Sequence, residues 1–323
     1  MRRWKERSRS LIQKYWLSSE VVMIDICILG TSGMSPLVNR HLSSAIVRCD
    51  GAAFLLDCGE GTQLALREAG IRLRNLKAIC FTHYHADHTL GLPGLLATLS
   101  NAERTDPLII IGPKGLMRTV NAALTLIAKL PFEIKCIECT EESASLDLFG
   151  LKVTMFSVNH GVPCYGYSFC LSRSGKCDPD KANRNGVPPE IWTDLQHNKV
   201  IRMNGRVFTK DLIMGEARKG LKVTYTTDTR PCDNIVKFAK DSDLFICEGM
   251  YGSDDNWDNA VKNYHMTFSE AASLARDAHV EQMWLTHYSP GLVDPEKYIS
   301  NATNIFKRTM CAYDTLSTVL EYQ

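Results

Sequence analysis

Short apolar runs rich in β-branched and aromatic residues, each closed by turn residues, recur from residue 24 to the C-terminal region. Runs of this kind read as strands. In the first half they fall at 24–29, 44–49, 53–57, 77–82, 108–111, 134–138, 151–158 and 165–171. Helical periodicity places helices near 61–69, 92–102 and 114–129. Pro93 suits the first turn of the second helix, where its missing N–H costs nothing. The second half predicts a strand at 221–227, a helix opened by Asp233, a strand at 244–247, a helix from Thr267 and a strand at 282–286. Thr267-Phe-Ser-Glu270 has the spacing of a capping box, which fixes that helix start. Strands alternating with helices in both halves predict an α/β (α+β) chain. Its two mixed sheets would be joined face to face with helices outside.

Residues 172–219 break this rhythm, with Ser172, Ser174, Gly175, Gly186 and Pro188-Pro189 and only a short apolar pattern. A long irregular excursion in a compact domain is usually functional or disordered. This one carries ten Lys/Arg against six Asp/Glu. Residues 1–22 are basic and semi-amphipathic, and they lack the apolar core of a signal peptide. They read as an ill-ordered extension before a single domain over 23–323.

At 323 residues, 45% hydrophobic and 23% charged, the composition is that of a soluble globular protein. No apolar run approaches the roughly 20 residues that a membrane span needs. A formal net charge of +1 excludes bulk electrostatics as a source of nucleic-acid affinity. Any such binding must use local basic patches. Twelve cysteines in so long and apolar a chain need not form a disulfide framework. Cys27, Cys80 and Cys247 sit inside strand-like runs as small hydrophobes. Cys136-Ile-Glu-Cys139 lies in an apparent strand with no helix after it and is not read as a redox pair. Free buried thiols predict a reducing, cytoplasmic location.

The densest chemistry is His83-Tyr-His-Ala-Asp-His88, directly after the strand-like run ending at Thr82. Imidazole nitrogens and carboxylate oxygens are preferred ligands of zinc and neighbouring divalent metals. His83 and His85 point the same way at a strand end, and a following turn can bring Asp87 and His88 toward a second ion. Three further candidates close strand-like runs: His160 before Gly161, Asp228 before Thr229-Arg-Pro231, and His287 before Tyr288-Ser-Pro290. Strand ends gathered along one sheet edge are where open α/β folds place their sites.

With these residues in view, the chain resembles the metallo-β-lactamase fold superfamily, and within it the ribonuclease Z family of tRNA 3′-processing endonucleases. The likeness runs from about Met23 to the C-terminal region. It rests on Leu29-Gly-Thr-Ser-Gly33, Asp57-Cys-Gly-Glu-Gly-Thr-Gln63 and Phe81-Thr-His-Tyr-His-Ala-Asp-His88 running into Gly91-Leu-Pro-Gly-Leu-Leu96. Gly112-Pro-Lys-Gly115, His160-Gly-Val162, Asp228-Thr-Arg-Pro231, His265-Met-Thr267 and Leu285-Thr-His-Tyr-Ser-Pro290 complete it. The resemblance implies an αβ/βα four-layer sandwich with a protruding arm at 172–219 that grips precursor tRNA. This chain has Val187-Pro-Pro-Glu190 where the family's arm carries a Gly-Pro pattern. It also implies a homodimer, and two zinc ions per subunit. One zinc would sit on His83, His85 and His160, the other on Asp87, His88 and His287, with Asp228 bridging. Manganese and iron share these ligand types.

Asp87 is then the group that orients or deprotonates the attacking water, and His265 the donor to the leaving oxygen. A helix N-terminus beside His265 is expected to depress its imidazolium. Glu248, at the end of a strand, is a candidate to orient His265 or a ligand. Gly30-Thr-Ser-Gly33 and Asp57-Cys-Gly-Glu60 read as backbone turns delivered to the same edge. Arg40 and Lys114 are candidate RNA phosphate contacts. The competing readings are a small-molecule hydrolase of the same fold (phosphodiesterase, lactonase, thioesterase or arylsulfatase) and a non-catalytic RNA-binding protein.

Overall fold

In the computed structural model, which describes residues 23–197 and 199–322, the chain begins with an antiparallel meander. Its strands are β1 (Met23–Gly30), β2 (Ser44–Cys49) and β3 (Ala52–Leu56). β4 (Leu76–Cys80), β5 (Leu108–Pro113) and β6 (Ile134–Cys139) add to it in parallel. β7 (Ser143–Leu148), β8 (Leu151–Ser157) and β9 (Tyr165–Arg173) open a second, antiparallel set. The excursion that follows contains a small hairpin of β10 (Ile201–Met203) and β11 (Arg206–Phe208). β12 (Arg218–Tyr225) pairs antiparallel with β9, and β13 (Leu244–Glu248), β14 (Met283–Thr286) and β15 (Thr309–Cys311) continue in parallel. β16 (Ser317–Glu321) returns to close the first sheet beside β1. Two seven-stranded mixed sheets result, ordered β16-β1-β2-β3-β4-β5-β6 and β15-β14-β13-β12-β9-β8-β7.

Alternation along the strands makes the layers. In β3, Phe54 and Leu56 join a core that also holds Val153, Phe169, Val223 and Ile246 of the second sheet. Ala53 and Leu55 face the other way, onto the helices Thr62–Glu68, Leu92–Asn101 and Leu116–Leu124. On the far side, Phe245, Cys247 and Leu285 pack against helices Asp233–Ala239 and Phe268–Asp277. The expected four-layer αβ/βα sandwich is therefore present. Thr267 caps its helix with the reciprocal Glu270 bonds expected of a capping box.

Three expectations need correction. The helix placed at 114–129 spans only Leu116–Leu124. Strands β7, β15 and β16 and the helix Trp257–Asn263 went unpredicted. The excursion is not irregular. It holds helices Pro179–Arg184 and Trp192–Gln196 and the β10–β11 hairpin, packed around Ala182, Val187, Ile191, Leu195, Phe208 and Ile213. Its Asn204-Gly205 turn, both residues at positive φ, is the commonest hairpin signal. Residues 1–22 lie outside the described residues. Among the described residues no helix is long and apolar enough to cross a membrane. All twelve cysteines are free, Cys136 and Cys139 both within β6.

Candidate metal centre

The parallel run β12-β13-β14 delivers three chain exits to one edge, and Asp228, Glu248 and His287 stand at or just beyond them. β4 brings His83 to that edge from the first sheet, and β8 brings His160. The short helix Ala86–Thr89 then turns Asp87 and His88 back over it. All seven predicted ligands converge there, in groups whose donor atoms lie within 4.8 Å of one another.

The contacts sort the donors. His83 Nε2 is 3.0 Å from His85 Nδ1, which is 3.4 Å from His160 Nε2. His88 Nε2 is 3.3 Å from His287 Nε2 and 3.4 Å from Asp87 Oδ2. Asp228 stands between the groups. Its Oδ1 lies 3.0 Å from His287 Nε2 and 3.2 Å from His88 Nε2, while Oδ2 lies 3.8 Å from His83 Nε2.

These atoms fit a small divalent cation. Four ligands about 2.0–2.1 Å from a tetrahedral ion are spaced about 3.3 Å apart, close to the separations within each group. Facing imidazole nitrogens at 3.0–3.4 Å repel unless a cation or proton lies between them. Asp228 Oδ1 is buried without a well-formed hydrogen bond. An orphaned atom in a polar cluster calls for an unseen partner.

Electrostatics agree. Burial works against a charged His287, yet the facing Asp228 and Asp87 carboxylates lift its pKa to about 10. Burial also works to raise Asp228, but His287, His88 and His83 hold it well below the ordinary carboxylate range. His160, desolvated and with His85 and His265 as further cationic neighbours, falls to about 4. The acids of this cluster demand positive charge.

Several supports were invisible in sequence. Asp57, fully buried at positive φ, accepts from His88 Nδ1 at 2.9 Å and from the Thr82 N–H at 2.8 Å. It leaves His88 Nε2 free to face the cluster, as a carboxylate behind a ligating imidazole does. The sequence alone marks Asp57 only as part of a turn. The Met34 N–H donates to Asp87 Oδ2 at 2.8 Å. The two glycine-bearing turns do reach the edge, and both need their glycines. A Cβ on Gly33 would lie 2.6 Å from the His287 ring, and one on Gly59 would lie 2.1 Å from the Asp87 carbonyl oxygen.

His265 is buried beside the cluster, its Nε2 3.9 Å from Asp228 Oδ2. Glu248 Oε1 accepts from His265 Nδ1 at 3.2 Å and from the Thr229 N–H at 2.6 Å, as the orienting role requires. Burial acts to lower the His265 pKa, but Glu248 outweighs it and the net direction is upward. The expected depression by the helix N-terminus is therefore overturned, because a buried carboxylate in contact beats a partial helix charge. Arg40 is not free for phosphate, since its guanidinium donates to the carbonyls of Leu292 and Val293 and covers the Tyr288 ring. Lys114 is exposed.

Fold and donor set together define a hydrolase of the metallo-β-lactamase fold that works with divalent metal. Residues 192–288 match the family described as Beta-lactamase superfamily domain, and residues 24–175 match Anti-Pycsar protein Apyc1. Among solved structures, the short form of human tRNase Z is similar at 25% identity and a TM-score of 0.65, covering 91% of this chain and 98% of that one. YhfI from Bacillus subtilis, a metallo-β-lactamase fold protein, shares the fold at 19% identity and a TM-score of 0.67, over 92% and 99% of the two chains. Ribonuclease Z of Lachnospira eligens is 49% identical over 300 residues, 93% of this chain and 99% of that protein. Ribonuclease Z of Lachnoclostridium phytofermentans is 48% identical over the same shares. The chain belongs to the ribonuclease Z family and is a metal-dependent endoribonuclease.

Proposed function

We propose that this protein cleaves precursor tRNA on the 3′ side of the discriminator nucleotide, releasing the 3′ trailer with a 5′-phosphate. Its cofactors would be two zinc ions per subunit, one on His83, His85 and His160, the other on Asp87, His88 and His287, with Asp228 shared. The observation that carries this reading is Asp228, whose two carboxylate oxygens face different histidine groups. Bound zinc would supply Lewis acidity, making water a nucleophile near neutral pH and neutralising charge on the phosphodiester.

The chain's own groups do the rest. Asp87, held by the Met34 amide, orients the attacking water and accepts its proton. His265, fixed through Nδ1 by Glu248, presents Nε2 to the opposite oxygen and donates the proton that makes the departing 3′-hydroxyl. The excursion 172–219 is read as the arm that grips tRNA, supported by its separate small core and its ten Lys/Arg against six Asp/Glu. A homodimer in which each arm serves the opposite subunit, and a cytoplasmic location, rest on the family likeness and, for the latter, on the free thiols.

Mapping the cut on an end-labelled precursor tRNA, with and without chelator, tests the reaction. Cleavage after the discriminator that chelation abolishes is expected. Hydrolysis of small esters with no cleavage of RNA would favour the small-molecule reading. His265→Ala should keep its metal and lose most cleavage, and unchanged turnover would remove His265 from the mechanism.

A further inference from the structure

The donor cluster opens to solvent past His85 and past the exposed loop Gly161-Val162-Pro163. Tyr264 stands beside that loop. A Cβ on Gly161 would lie 3.5 Å from its ring, and its centroid is 6.2 Å from that of His160 at 89°. The residue is 43% exposed, and no hydrogen bond engages its hydroxyl among the described residues. So large an aromatic at the mouth of a polar cleft is packed on one edge and left open on the other.

The backbone sharpens the point. Tyr264 closes helix Trp257–Asn263 in the left-handed region, φ 61° and ψ 40°. Glycine or asparagine takes that conformation readily, whereas a tyrosine there is strained. A strained residue that touches a reaction centre points to a use for its side chain. His265 follows directly in the chain, and its ring lies 5.9 Å from that of His160. Tyr264 and His265 thus both border His160, one presenting an apolar face and the other the proton for the leaving oxygen.

We propose that Tyr264 is the stacking platform for the nucleobase of the nucleotide that carries the leaving 3′-oxygen. This rests on the endonuclease reading, which makes that nucleotide the discriminator. An unpaired base splayed from a single-stranded end is what aromatic side chains capture in RNA. Stacking accepts any base, so Tyr264 supplies position and affinity without reading sequence.

The test crosses two perturbations on one precursor tRNA: Tyr264→Ala or Tyr264→Phe in the protein, and an abasic discriminator in the substrate. Tyr264→Ala should lower kcat/KM about 10- to 100-fold, the usual worth of one stacked base, and Tyr264→Phe should restore it. The abasic substrate should cost the wild type a similar factor and cost Tyr264→Ala almost nothing more. Losses that multiply would show that the ring only braces the His265 segment, and would overturn the proposal, as would wild-type cleavage by Tyr264→Ala. Failure of the wild type to cut the intact precursor is a separate result, which sinks the endonuclease reading and the platform with it.

Discussion

Asp57→Asn tests whether a buried carboxylate with no place in the cluster itself governs its affinity for metal. The substitution keeps shape and size and changes only what the two terminal atoms can do. In one amide orientation the oxygen still accepts from His88 Nδ1, but the NH2 group then opposes the Thr82 N–H, which now sits 2.8 Å from a carboxylate oxygen. Two buried donors face to face cost about 1–3 kcal/mol. In the other orientation Thr82 is satisfied and the NH2 group meets His88 Nδ1. The imidazole must then carry its proton on Nε2, the atom 3.2 Å from Asp228 Oδ1, and cannot ligate through it. Loss of such a partner typically weakens metal binding about 10- to 100-fold. One penalty must appear in either case. Competition with a fluorescent chelator measures affinity, and thermal unfolding in chelator measures the metal-free fold. Wild-type affinity together with wild-type metal-free stability would refute the argument.

Four further outcomes follow from the same geometry. Gly33→Ala places a methyl 2.6 Å from the His287 ring, so cleavage should fall by about 100-fold with the fold intact by circular dichroism; full activity would show that the ring can yield. Stripping metal should lower the unfolding temperature reversibly, since binding at 100 times Kd adds about 2.7 kcal/mol. A melting curve indifferent to chelator would contradict the cation fit. Burial raises the Asp314 pKa above 3.8 against hydrogen bonds from His41 and Thr31, so its charge costs stability above that raised pKa, and the cost fades as pH falls through it. Asp314→Asn should therefore make stability rise more steeply with pH just above pH 3.8, because the opposing contribution is gone, and an unchanged slope would reject the assignment. Deleting residues 174–217 with a short Gly-Ser bridge should cripple precursor tRNA cleavage while both sheets stay folded; undiminished cleavage would deny the arm its role.

Much of the site was legible because its first four donors lie in six consecutive residues and the others each close a strand-like run. Strand ends are readable from local pattern, and a parallel sheet turns several of them into one edge. Asp57 was not legible as a support for His88, because that role exists only once β3 and β4 lie side by side. The rise in the His265 pKa was missed for a similar reason, since it depends on contact with Glu248 from another strand. The strand β16 is short and half-exposed, and its partner β1 lies at the other end of the chain, so no local pattern announces it. The excursion was misread because helices of five and six residues show little periodicity, although Asn204-Gly205 did mark its hairpin.

Of the eleven non-glycine residues held at positive φ among the described residues, three lie in hairpin turns and four border the candidate centre. Asp50, Phe149 and Asn204 occupy hairpin turns, where such conformations are ordinary. Met34, Asp57, Tyr264 and His287 instead meet at the candidate centre, through the Asp87 carboxylate, His88, His160 and Asp228. Aspartate and histidine tolerate this region better than methionine or tyrosine, so the four costs are unequal, at up to about 1–3 kcal/mol each. At Asp57 and His287 the effect is the same: a chain leaving a strand turns sharply enough to aim a side chain across the sheet edge. The layers behind that edge, packed with fully buried Phe54, Phe169, Phe245 and Phe268, hold the exits in place. Strain and rigidity are thus two parts of one arrangement, in which a stable sandwich keeps costly backbone angles fixed so that donors on different strands meet before any ion arrives.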